Sequence, residues 1–151
     1  MNKIDLTAYI NNDCTNNGNT REYAVCRYFG IERNKHDRVP YDKGSDVELI
    51  DGRNISVKSA GFTLMCGNLC KGCSTFEGIW RRYYKRTHSN LWCYVTKDWT
   101  AYLMDKREFS KFIHLFCTLD HESTRNGGHI KIKHRSESKE VLAWLEKHTI
   151  N

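Results

Sequence analysis

Between Ser45 and Ser59 the chain reads Ser-Asp-Val-Glu-Leu-Ile-Asp-Gly-Arg-Asn-Ile-Ser-Val-Lys-Ser. Asp46 and Glu48 alternate with Val47 and Leu49, and Ser56 and Lys58 alternate with Ile55 and Val57. Each run is therefore an amphipathic strand with its polar groups on one face. Carboxylates and an amine on a shared face are the parts of a metal-dependent phosphodiester-cleaving site. Hydrolysis needs a polarised phosphoryl group, an activated water and a stabilised leaving oxygen, and a carboxylate-held Mg²⁺ helps with all three. In such a site Asp46 is the principal metal ligand, Val57 adds its backbone carbonyl, and Lys58 orients or helps deprotonate the water. The plain alternative is an exposed hairpin whose charges line a solvated face.

The two polar faces coincide only if Asp46 stands opposite Lys58 or Ser56, which requires an odd number of loop residues. A two-residue Asp51-Gly52 turn would instead set Asp46 opposite Val57 and scatter the groups. The site thus predicts a three-residue or bulged loop around Asp51-Gly52-Arg53, although Asp-Gly by itself favours the two-residue form.

Around this hairpin the sequence predicts a helix over Arg21–Gly30, capped by Asn19-Thr20 and ended by Gly30. Tyr23, Val25 or Cys26, and Phe29 recur there at helical spacing. A second helix runs from Thr75 to Arg86 on an apolar face of Phe76, Ile79, Trp80 and Tyr83 or Tyr84. Strands Leu91–Thr96 and Thr100–Met104 flank a short turn at Lys97-Asp98, and a helix follows over Arg107–Phe116. A polar loop with a turn at Asn126-Gly127-Gly128 leads to a strand, His129–Lys133, and to a final helix from Ser136, its cap, to Lys147. This order describes an α/β sandwich around a mixed sheet.

With that order in place, the chain resembles the PD-(D/E)XK nuclease superfamily, the restriction-endonuclease-like fold of many restriction enzymes and archaeal-type Holliday-junction resolvases. The resemblance rests on a helix with Glu22, a strand with Asp46, the Ser56-Val57-Lys58 element and the helix after it, about the first 90 residues. It implies an αβββαβ-type sandwich, Mg²⁺ or Mn²⁺ as cofactor, DNA as substrate and a homodimer that cuts two strands. Ser45 stands where the family often has proline, and Ser56 replaces the second acidic residue. Some restriction enzymes with serine at that place recruit a glutamate from the following helix. The second carboxylate is accordingly sought in Glu22, Glu48 or Glu77, with Glu22 and Glu48 ranked ahead.

The wider composition agrees with a polyanionic partner: 24 lysines and arginines against 18 acids give a net charge of +6. Trp80–His88 interleaves aromatic and basic residues, so Arg81, Arg82, Lys85 and Arg86 are candidate DNA-backbone contacts, with Lys35 and His36 lining a groove. The bland counterpart is a core-facing helix with a solvated basic face. Cys66-x-x-x-Cys70-x-x-Cys73 reads first as unligated thiols, and second as structural zinc completed by Cys93 or His88. Seven cysteines, no signal-peptide pattern and no apolar run near the roughly 20 residues of a membrane span predict one cytoplasmic domain over 1–151. Three functions remain: the DNA endonuclease, a nucleic-acid-binding or regulatory module on the same fold without the chemistry, and a zinc-stabilised interaction domain.

Overall fold

The apolar segments Leu91–Val95 (β5) and Thr100–Asp105 (β6) form the middle of a sheet in the computed structural model, which describes residues 1–10, 17–31, 46–64, 75–120 and 131–150. The sheet is completed by β1 (Asn2–Asp5), β2 (Val47–Glu48) and β3 (Asn54–Ser59), in the order β1-β6-β5-β3-β2. Only β3 and β5 are parallel, so the sheet is mixed. A second, antiparallel sheet joins β4 (Thr63–Leu64), β8 (Lys131–His134) and β7 (Cys117–Asp120). Four helices accompany them among the described residues: α1 (Asn17–Tyr28), α2 (Phe76–Arg86), α3 (Lys106–Phe116) and α4 (Lys139–Lys147).

Both faces of the five-stranded sheet are covered, which is why β5 reads as an almost unbroken apolar run. On one face Ile4, Val47, Ile55, Cys93, Val95 and Ala101 pack against Ala24, Val25 and Cys26 of α1. On the other, Trp92, Tyr94, Tyr102 and Met104 meet Ile79 of α2, Phe109 and Phe112 of α3, Leu145 of α4 and Ile132 of the small sheet. Trp92 stacks on Phe109 with centroids 4.7 Å apart, and its indole N–H donates to the Tyr83 hydroxyl at 3.0 Å. That bond satisfies the one polar atom of a fully buried ring.

The ends of the elements refine the sequence expectations. Gly30, at φ +68°, closes α1: its N–H donates to Arg27 and the Ile31 N–H to Cys26, so the last carbonyls are satisfied. The helix begins at Asn17, ahead of the expected Asn19-Thr20 cap. The last helix is capped by Ser138, whose hydroxyl accepts from the Val141 N–H at 3.3 Å, rather than by Ser136. The β5–β6 turn has three residues, Lys97-Asp98-Trp99, and Trp99 takes φ +66°. That left-handed backbone costs a non-glycine residue about 1 kcal/mol. It is offset here by the Leu6 N–H donating to the Trp99 carbonyl and by packing of the indole against the α1-side core.

Candidate functional site

The hairpin loop is odd in length. Val47 pairs with Ile55 and Glu48 with Asn54, leaving Ile50-Asp51-Gly52 between Leu49 and Arg53, whose backbones are joined by the Leu49 N–H to the Arg53 carbonyl. The loop is centred one residue earlier than expected, because Gly52, at φ +87°, fills the left-handed third position and donates back to Leu49. The Asp51 carboxylate accepts from the Arg53 backbone N–H at 3.0 Å and from its Nε at 2.7 Å, and these bonds hold its pKa below the ordinary value.

At the far end of the hairpin a straight ladder would place Asp46 over Ser56, but the chain departs from it. The Asp46 N–H donates to the Ile55 carbonyl at 2.9 Å, although Ile55 is already the partner of Val47. Two residues of one strand thus face one of the other, the arrangement of a β-bulge, which re-aims a side chain. The Asp46 carboxylate is turned along the sheet edge, and its Oδ2 accepts the Val57 N–H at 2.7 Å. Because an extended residue directs its N–H and C=O to the same side, the Val57 carbonyl faces that edge too. One carboxylate and one backbone carbonyl therefore border the same short stretch of edge, with Lys58 next along the chain.

The other predicted groups are distributed as follows. Ser56 and Lys58 lie on the face away from α1, because their neighbours Ile55 and Val57 pack against the α1-side core. Ser56 is wholly buried, and its hydroxyl has no hydrogen-bond partner among the described residues. Glu48 is exposed and paired with Asn54, about 7 Å along the strand from Asp46. Glu22 sits on α1, which covers the face opposite Lys58. Glu77 is engaged by a histidine: its Oε1 lies 2.6 Å from His114 Nε2, while His114 Nδ1 donates to the Ser110 carbonyl at 2.7 Å. The pair ties the first turn of α2 to the last of α3. Among the described residues no three His, Cys, Asp or Glu side chains gather to hold a metal ion.

Arg81, Arg82, Lys85 and Arg86 are exposed on α2 while Ile79, Trp80 and Tyr83 face the core, the division their spacing predicts. Lys35, His36, Cys66, Cys70 and Cys73 lie outside the described residues. Cys93, one of the residues expected to complete a structural zinc site, is buried in the α1-side core, where burial pushes its thiol up to about 12.

Two arrangements carry no local sequence signal. Lys106 of α3 places its ammonium 4.1 Å from the centre of the Tyr84 ring on α2. Tyr94 and His134 meet between the two sheets, with the Tyr94 hydroxyl 3.1 Å from His134 Nε2, and His134 Nδ1 donates to the Phe116 carbonyl. Burial lowers the His134 pKa and raises that of Tyr94. Both pairs join residues more than 20 positions apart, so neither follows from periodicity.

No helix among the described residues is long and apolar enough to cross a membrane. Compared with protein-family models, with curated proteins and with solved structures, the chain finds no match.

Proposed function

We propose that this protein is a metal-dependent endonuclease that hydrolyses phosphodiester bonds in DNA on a restriction-endonuclease-like fold, with the Asp46–Val57–Lys58 edge as its active site. One observation carries the reading: the 2.7 Å bond from the Val57 N–H to the Asp46 carboxylate sets an acid beside a sheet-edge carbonyl, one residue from a lysine. These are hard oxygen donors, which suit Mg²⁺ or Mn²⁺, and Mg²⁺ commonly takes one or two carboxylates with waters and substrate phosphate oxygens making up the rest. Asp46 and the Val57 carbonyl would hold the ion, with Glu22 or Glu48 as the second acid. The bound ion would polarise the phosphoryl group and lower the pKa of a bound water. Lys58 then orients that water and offsets the charge that builds on the phosphate. Each such site cuts one strand, so a homodimer is the arrangement for cutting both.

Incubation with supercoiled plasmid and Mg²⁺ or Mn²⁺ should yield nicked and linear DNA. Asp46→Ala and Lys58→Ala should each slow this at least about 100-fold. Unchanged rates in both would remove the site assignment.

A second reading is a nucleic-acid-binding module that keeps the fold without the hydrolysis. It is favoured by the buried hydroxyl of Ser56 where an acid is expected and by the engagement of Glu77 with His114. DNA binding that weakens with salt, with no cleavage under any divalent ion, would select it.

A further inference from the structure

Strand direction collects positive charge at one end of the main sheet. Ile55 pairs with Leu91 and Leu91 with Asp105, so β3 and β5 begin and β6 ends at the same place. The helix that leads into β5 therefore ends there, and the helix that leaves β6 begins there. The two are antiparallel: Glu77 meets His114, Trp80 meets Phe109, and Tyr84 meets Lys106. Arg81 and Lys85, both exposed and one helical turn apart on α2, thus flank Tyr84 on a helix packed against the one whose first turn carries Lys106 and the exposed Arg107. The start of β3 is fastened to the same end by the Asn54 side-chain amide donating to the His88 carbonyl at 3.2 Å and the Asn54 N–H donating to Asn90 Oδ1 at 2.9 Å.

The acids at this end do little to cancel that charge. Asp105 and Glu108 are engaged with one another's backbone in the capping box of α3, and Asp51 is held by Arg53. Among the described residues, Glu48 is the exposed carboxylate that remains beside Asn54. Tyr84 is 38% exposed, but its ring is not a stacking platform, since Lys106 sits over it and Trp80 lies against it with centroids 5.8 Å apart. A surface with cations spread over two helices and no open aromatic face is matched to phosphates arrayed in two dimensions, as on a duplex, and not to splayed bases.

We propose that Arg81, Tyr84 and Lys85 of α2 together with Lys106 and Arg107 of α3 form a docking surface for the backbone of duplex DNA, separate from the Asp46 edge. The assignment rests on the DNA-binding part of the proposed function and is independent of hydrolysis.

The test is fluorescence anisotropy with a labelled duplex of about 20 base pairs, in EDTA and over a series of salt concentrations. Reversal of Lys106→Glu with Arg107→Glu should weaken binding about 10-fold or more and flatten the plot of log affinity against log salt by about 2. Lys106→Gln with Arg107→Gln, which removes charge without adding acids, should flatten it by about the same amount. Lys139→Glu, at an exposed position of α4, should bind like the wild type, and circular dichroism checks that every variant is folded. Four outcomes overturn the proposal: wild-type affinity in both double variants, an equal loss in Lys139→Glu, tighter binding of single strand than of duplex, or binding to anionic phosphatidylserine vesicles without binding to duplex. A wild-type protein that binds no DNA would overturn the DNA-binding part of the proposed function as well, whereas variant-insensitive binding overturns only this surface.

Discussion

Asp46 takes the place of a strand for Val57: its Oδ2 accepts the Val57 N–H at 2.7 Å where β2 has ended and β3 continues. An unsatisfied edge N–H is costly when water is partly excluded, so the bond has a structural use whether or not the carboxylate also holds an ion. Structure and chemistry therefore make separable demands on this one side chain.

Asp46→Asn keeps an oxygen that can accept from Val57 but loses the negative charge. It is expected to melt within a few degrees of the wild type, because a neutral bond replaces a charged one at a cost of about 1 kcal/mol. Its nicking of plasmid should nevertheless fall about 100-fold or more. Asp46→Ala should lose both, with about 1–3 kcal/mol of stability gone in urea unfolding. Full nicking activity in Asp46→Asn would show the charge to be dispensable.

Ser56→Ala removes a buried hydroxyl that has no partner among the described residues. The expected result is a gain of about 1 kcal/mol, read as a higher urea midpoint at unchanged slope. A loss of that size would mean that the hydroxyl is bound within the folded protein.

His134 should make the fold sensitive to acid. Burial lowers its pKa from 6.5, so below about pH 6.5 the unfolded chain binds a proton that the folded chain refuses. Its contribution to stability is thus constant at higher pH and falls as pH drops from 6.5 through the folded value. Urea midpoints measured from neutral to mildly acidic pH should decline in that window. The decline should be smaller in His134→Gln, whose side chain does not titrate. An equal slope in the variant would assign the effect to other groups.

Gly52→Ala isolates the backbone of the hairpin loop. Nothing lies within 4 Å of where the new Cβ would stand, so the cost is that of holding φ +87° alone. A loss of about 1–2 kcal/mol is expected in chemical unfolding. No loss would imply that the loop relaxes to another turn. If that relaxation also shifts the strand register, the Asp46–Val57 bond and nicking should disappear with it.

Much of this architecture is legible in local spacing. The alternation of Val47, Leu49, Ile55 and Val57 assigns the buried side of the hairpin, and demanding a common polar face predicts the odd loop. The periods of Ile79, Trp80 and Tyr83 and of Phe109, Phe112 and Ile113 likewise assign the inward faces of α2 and α3. These properties follow from backbone geometry over a few residues, which a single sequence displays. β1, β4 and β7 were not expected, because strands of two to four residues owe their existence to the partners they meet.

Only the tertiary structure decided which groups meet. The bulge at Asp46 depends on how β2 docks on β3, and it moves the carboxylate from above Ser56 to the amide of Val57. The antiparallel packing of α2 and α3 binds Glu77 to His114 and brings Lys106 to Tyr84. Ser56, polar by type, is buried because the far face of β3 lies under the second core and not in water. Periodicity states which side a residue takes; its neighbour on that side is set by the packing of segments distant in sequence.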